Sequence, residues 1–278
     1  MTWGRIGSVP PRSGHTCTRL TLSDGTEALV LFGGHEGVDV LQDTHLLLPH
    51  EHRWRRLEPS GTPPAPRALH SACVLHGQLL VFAGWGGHGT THADLCALSI
   101  DARRQSSRWT RLVAPRAPVP AARQGHSAVA SADDEMLVFG GDTGGVMSAE
   151  LWAMHTRSGL WSLEVASGAA PPPRSGHASG VLQAPSSDGI FDRAYMVVYG
   201  GRGANGRCMH DLFLLCLESR VWSTPAVGGD VPRPLWSAAC CTLNGVLIVD
   251  GGRDEEGCLG LQQRFELVRR SIEREGQV

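Results

Sequence analysis

The sequence predicts an all-β protein built from one repeated four-stranded unit, and three observations predict it. An Arg-x-Gly/Leu-His element recurs as Arg12-Ser13-Gly14-His15, Arg67-Ala68-Leu69-His70, Arg123-Gln124-Gly125-His126 and Arg174-Ser175-Gly176-His177, with Arg233-Pro234-Leu235-Trp236 as a degenerate fifth copy. Each copy is followed by an apolar run that closes on a small residue and a glycine: Gly33-Gly34, Ala83-Gly84, Gly140-Gly141, Gly200-Gly201 and Gly251-Gly252. A tryptophan then follows in register, at Trp54, Trp109, Trp161 and Trp222. Self-similarity at a period of about fifty residues marks a repeat architecture.

Each unit reads as four strands. The first leaves the histidine, as in His70-Ser71-Ala72-Cys73-Val74-Leu75, and turns at His76-Gly77; Asn244-Gly245 at the same place in the last unit is a strong hairpin signal, because both central positions of a type I′ turn need positive φ. The second strand, Leu79-Leu80-Val81-Phe82, is apolar at consecutive positions, as a strand buried on both faces must be. The third carries an acidic residue and then an apolar run: Asp43-Thr44-His45-Leu46-Leu47, Asp94-Leu95-Cys96-Ala97-Leu98, Glu150-Leu151-Trp152-Ala153-Met154 and Asp211-Leu212-Phe213-Leu214-Leu215. The fourth begins at the tryptophan and fades into connectors such as Pro63-Pro64-Ala65-Pro66 and Pro171-Pro172-Pro173, where proline costs no ladder hydrogen bond. Sheets buried on both faces need a like sheet on each side, which repetition around an axis supplies.

Composition agrees. The chain has 278 residues, enough for two ordinary domains or one large all-β domain, and 35 glycines and 17 prolines beside 41% hydrophobic residues describe a turn-rich globular protein. Lys and Arg number 25 against 27 for Asp and Glu, so bulk charge gives no long-range attraction to nucleic acid or an acidic membrane. The eight cysteines form no Cys-x-x-Cys pair and several lie in apolar runs, so they read as buried thiols and the expected location is the reducing cytoplasm. No charged and apolar leader opens the chain, and no run of about 18 apolar residues occurs.

The arginine-led motif, the double glycine, the later tryptophan and the spacing resemble the kelch repeat across residues 3–267. The resemblance implies a kelch-type β-propeller. Residues 3–6, Trp3-Gly4-Arg5-Ile6, precede Pro10-Pro11-Arg12 as Trp54-Arg55-Arg56-Leu57 precedes Pro66-Arg67, so they read as a fourth strand that completes the three-stranded last unit. The expectation is one domain over residues 1–268, of five four-stranded blades closed by the N- and C-terminal strands, with a tail at 269–278 too short for a blade. Kelch propellers usually have six or seven blades, so five departs from the family habit.

Equivalent positions form rings, and the motif arginines Arg12, Arg67, Arg123, Arg174 and Arg233 are expected to approach the central channel from the face of the inter-blade connections. In kelch adaptors of ubiquitin ligases, arginines at this motif position contact an acidic peptide, which suits the planar fork of a guanidinium. The other reading is that each arginine pairs with an acidic residue of a neighbouring loop and holds blades together. The loops after the double glycines vary from unit to unit and offer His35 and Glu36, Trp85 and His88, Asp142, Arg202 and Arg253. Variation at a shared height is what a recognition surface needs. Trp85 reads either as an anchor for a partner or as packing across a blade.

The motif histidines His15, His70, His126 and His177 read as one structural hydrogen bond repeated. Some kelch propellers of the nitrile-specifier type hold a ferrous ion through Glu-x3-Asp-x3-His; the nearest set here, Asp39, Asp43 and His45, departs from that in residue type and register. No metal, cofactor or catalytic residue is expected. The sequence thus points to a non-enzymatic module that holds another protein's peptide or loop, acidic in character, on an arginine-lined face, with a metal-dependent enzyme or a purely structural scaffold as the alternatives.

Overall fold

The computed structural model describes residues 7, 9–116, 118–131, 134–185, 192–226, 233–243 and 246–257. Its regular structure is all β. Four sheets follow the expected antiparallel order: Thr16–Thr21, Glu27–Phe32, Thr44–Leu47 and Trp54–Leu57; Ser71–Leu75, Gln78–Gly87, Thr90–Asp101 and Ser106–Leu112; Ser127–Ser131, Glu135–Phe139, Leu151–His155 and Leu160–Glu164; and Ala178–Pro185, Asp192–Gly203, Cys208–Cys216 and Val221–Ser223. The chain divides into two compact units, residues 1–124 with 132–137 and 153–162, and residues 125–131 with 138–152 and 163–278.

The second strands are largely buried, as their unbroken apolar runs require. Leu79, Val81 and Phe82 are fully buried, as are Met136, Leu137, Val138 and Phe139. The phenylalanine that ends the run meets the tryptophan of the next repeat. In the first unit Phe32 lies 5.0 Å from Trp109 and Phe82 lies 4.9 Å from Trp161, ring centre to ring centre; in the second unit Phe139 lies 5.1 Å from Trp222. These tilted pairs add to burial through the ring quadrupoles, by about 0.5–1.5 kcal/mol each. Trp109, Trp161 and Trp222 are therefore core, whereas Trp54 is half-buried.

Two sheets carry an outer strand that the sequence pattern did not reveal. Ser60–Gly61 runs parallel to Ser106–Leu112, and Ser167–Gly168 runs parallel to Val221–Ser223. Each dipeptide lies seven residues before a motif arginine. The glycine is required there: φ is +85° at Gly61 and +83° at Gly168, and a Cβ would collide with the carbonyl oxygen of Trp109 or Trp222. The pair covers part of an edge whose open N–H and C=O groups would otherwise invite another strand.

The fifth repeat differs from expectation. Among the described residues four sheets, rather than five, contain the expected set of four antiparallel strands, and the last repeat contributes the hairpin Ala239–Leu243 with Val246–Asp250. That hairpin shares a core with the fourth sheet, where Leu247 and Val249 join Ala178, Leu182, Val197 and Tyr199. The closing strands expected at residues 3–6 and before residue 268, the turn at Asn244-Gly245 and the tail lie outside the described residues. The cysteines are also less uniform than expected: Cys73, Cys96 and Cys216 are buried, whereas Cys17 and Cys241 are exposed.

Candidate functional site

The motif arginines do not present free guanidiniums. Arg12, Arg67 and Arg174 make one repeated set of bonds. Nε donates to the carbonyl two residues back, that of Pro10, Ala65 or Pro172, at 3.2, 3.0 and 3.0 Å. Nη1 donates to the carbonyl of the first residue of the small-Gly pair, Gly33, Ala83 or Gly200, at 3.1, 2.9 and 2.9 Å. Nη2 donates to the aspartate that precedes the apolar run of the third strand, Asp43, Asp94 or Asp211, at 2.9, 3.0 and 2.8 Å. Each arginine thus ties together the connector, the small-Gly pair that closes the apolar run of the second strand, and the aspartate before the apolar run of the third. Arg123 is likewise fully buried with Nε on the carbonyl of Ala121.

Electrostatics follow the geometry. Burial pushes the Asp43 carboxyl up, but hydrogen bonds from Arg12 and His45 outweigh it and bring it down to about 2. Asp94 is held low in the same way, burial being overcome by Arg67. Asp43 and His45, the nearest approach to an iron-binding pattern, are spent on this cluster, with His45 Nε2 2.7 Å from Asp43 Oδ2. The described residues contain no group of three or more His, Cys, Asp or Glu side chains placed to hold a metal ion.

Two of the motif histidines, His70 and His177, are structural too, whereas His15 is exposed. His70 Nε2 lies 2.9 Å from Thr16 Oγ1 in the first unit, and His177 Nε2 lies 2.7 Å from Ser127 Oγ in the second. Burial and the neighbouring arginine, Arg67 or Arg174, lower both imidazoles to about 3.

In the fifth repeat the arginine position belongs to Leu235, so the assignment of Arg233 to the ring is corrected by two residues. The amides of Gly34, Gly84 and Gly141 donate to the carbonyls of Arg67, Arg123 and Arg174, each at 2.8 Å, and the amide of Gly201 donates to that of Leu235 at 2.8 Å. The backbone bridge after each motif arginine agrees: Ser13 pairs with His35, Ala68 with Trp85 and Ser175 with Arg202, and Trp236 pairs with Arg253. Leu235 is 1% exposed and Arg233 is exposed. The degenerate copy offered an arginine in the wrong register, and only the backbone pairing reveals it.

The loop residues are where the surface varies. In the first unit His35 is half-buried, bonded to Ser13 Oγ at 2.8 Å, and packs edge-on against Trp85 with ring centres 5.8 Å apart. Trp85 is itself half-buried, so it joins neighbouring loops and still shows an edge to solvent. Glu36 and His88 are exposed. In the second unit Asp142 Oδ1 accepts the amide of Gly145 at 2.6 Å and closes a hairpin whose tip exposes Val146. There too Trp236, absent from the sequence-based candidates, lies between two exposed arginines: Arg202 and Arg253 each place Cζ 5.8 Å from its ring centre.

This architecture is that of a kelch β-propeller. A family model described as the KLHDC2/KLHL20/DRC7 Kelch-repeats domain matches residues 4–186 and 132–274, and the chain belongs to that kelch-repeat family. It is similar to putative adagio-like protein 2 of Oryza sativa subsp. japonica, 30% identical over 273 residues that make up 90% of this chain and 40% of that one. Adagio protein 3 of Arabidopsis thaliana is 29% identical over 92% of this chain and 41% of its own length. Host cell factor 1 of Rattus norvegicus is 27% identical over 90% of this chain and 12% of its own length. The chain therefore spans well under half of these relatives. Kelch-repeat proteins are in general interaction modules, so the class points to protein binding.

Proposed function

We propose that the protein is a non-enzymatic interaction module that holds an acidic peptide or loop of another protein on the surface formed by the second unit's loops after its double glycines. The observation that carries this reading is the Arg202, Trp236 and Arg253 stack: two exposed guanidiniums fixed against one indole. Stacking orders the long arginine side chains before a ligand arrives, so less entropy is lost on binding, and the outer edge of each fork stays available to a carboxylate. Buried Arg174 holds the root of the Arg202 loop, its Nη1 donating to the Gly200 carbonyl at 2.9 Å. Arg233, exposed and without a side-chain partner among the described residues, adds positive charge to the same unit.

A library of acidic twelve-residue peptides, selected on the wild-type chain, tests the reading. Arg202→Glu with Arg253→Glu should weaken the selected peptides by at least about tenfold, because charge-assisted bonds become repulsions. Thermal unfolding should barely move, since both side chains are exposed. Undiminished binding by the double variant would remove the stack from the contact surface.

A further inference from the structure

The hairpin between Thr90–Asp101 and Ser106–Leu112 in the second sheet carries the sequence Arg103-Arg104-Gln105-Ser106. Ser106 is the one serine or threonine in the chain with arginines both three and two places before it. The hairpin also opens a stretch of one-signed charge, since residues 102–132 hold six arginines and no aspartate or glutamate.

The fold presents this segment to solvent. Arg103, Arg104, Gln105 and Ser106 are all exposed. Strand alternation places Ser106 on one face with exposed Arg108, and Ser107 on the other with buried Trp109. The Ser106 hydroxyl has no hydrogen-bond partner among the described residues, whereas Ser107 is half-buried and its carbonyl accepts the Ser60 hydroxyl at 3.2 Å.

The turn itself is lightly held. Asp101 Oδ1 accepts the amides of Arg103 and Arg104, each at 3.0 Å, and the Gln105 amide reaches the Ala102 carbonyl at 3.4 Å. Gln105 has a φ of +50°, in the left-handed region that a side chain resists. Opening the chain as far as Asp101 and Ser106, the last pair of the ladder, breaks few bonds and relieves that backbone strain.

We propose that Ser106 is a phosphorylation site for a serine kinase of basic specificity, one whose substrate cleft is lined with carboxylates. Once the turn is extended, Arg103 and Arg104 offer that cleft two guanidinium forks. Ser106 Oγ attacks the γ-phosphorus of ATP, the bond from that phosphorus to the ADP oxygen breaks as the new Oγ–P bond forms, and the hydroxyl proton passes to the kinase's base. The product carries its phosphate directly across the ladder from Asp101 and two residues from Arg108 on the same face, whose guanidinium has no ion pair among the described residues. Repulsion from the carboxylate and attraction to the arginines re-pair the hairpin. The proposal does not depend on the Arg202 and Trp236 surface.

The test incubates the folded chain with ATP and the catalytic subunit of cAMP-dependent protein kinase. Incorporation should approach about one phosphate per chain, mapped to Ser106 by tandem mass spectrometry. Ser106→Ala should abolish it, and Ser107→Ala should keep the rate within about threefold. Arg103→Gln with Arg104→Gln should slow it by at least about tenfold, because the charge-assisted bonds to the kinase are lost. These residues are exposed or half-buried, so thermal unfolding of each variant should match the wild type. A peptide of residues 100–110 serves as the unfolded reference. Phosphorylation of the peptide but not of the folded chain would mean that the hairpin withholds its serine, and this would overturn the proposal. So would a peptide that is not phosphorylated, incorporation that survives Ser106→Ala, or an unchanged rate in the double arginine variant.

Discussion

Arg67 and Asp94 form a fork pair inside the first unit: Nη2 donates to Oδ2 at 3.0 Å and Nη1 lies 3.0 Å from Oδ1, with the Arg67 side chain wholly excluded from water. The pair sits where the connector, the second strand and the third strand meet, so its removal strands a carboxylate among carbonyls. Arg67→Met should cost about 3–5 kcal/mol of stability in urea unfolding, the range for breaking a buried pair from one side. Pairing that change with Asp94→Leu should recover much of the loss, because no buried charge then remains. A single-variant loss below about 1 kcal/mol would show that the arginine is not a structural clamp.

The same burial gives the fold an acid limit. His70 and His177 are lowered to about 3, whereas in the unfolded chain they titrate near the ordinary 6.5. Between those values the unfolded chain binds more protons than the folded one, so their contribution is complete above pH 6.5 and falls as the pH drops. The slope reaches about 1.4 kcal/mol per pH unit for each histidine. Asp43, depressed to about 2, acts later: its contribution is present above 3.8 and is lost as pH falls through 2. Unfolding free energies should therefore decline from pH 6.5 to 4.5, before carboxylates matter, and a flat profile across that window would contradict neutral buried imidazoles.

Repetition made the architecture legible in the sequence. Phe82, Trp109, Trp161 and the small-Gly pairs recur because every sheet meets the same packing demands, and their places were read correctly. Pairing was harder to read: Asp94 was visible as an acidic residue before an apolar run, but nothing in its spacing from Arg67 tied the two together. Trp236 escaped notice because its importance lies in Arg202 and Arg253, which approach it from loops far apart in sequence. Ser60-Gly61 escaped because a two-residue parallel pairing leaves no periodicity behind.

That pairing is testable through its glycine. Gly61 and Gly37 both have positive φ, +85° and +58°, but a Cβ at Gly37 meets nothing while one at Gly61 meets the Trp109 carbonyl. Gly37→Ala should cost only the left-handed backbone penalty, about 1–2 kcal/mol. Gly61→Ala should cost clearly more, with faster exchange of the Thr62 amide, which donates to that carbonyl at 3.2 Å. Equal losses at the two glycines would mean that the outer dipeptide contributes no ordered pairing.

Leu235 offers the sharpest test of register. It lies in the core with Tyr199, Leu214 and Leu247, at the place that arginine holds in the other repeats. Had Arg233 been the true fifth copy, its loss would be costly and residue 235 would be tolerant. The backbone pairing reverses this. Arg233→Ala, on the surface, should change stability by no more than about 0.5 kcal/mol. Leu235→Arg brings a charge into an apolar cluster and should cost at least about 3 kcal/mol. Leu235→Met, which keeps volume and polarity, should stay within about 1.5 kcal/mol. Denaturant midpoints for the three variants decide the matter: a tolerated Leu235→Arg would mean that this repeat still carries an unoccupied arginine socket, and a costly Arg233→Ala would restore the original register.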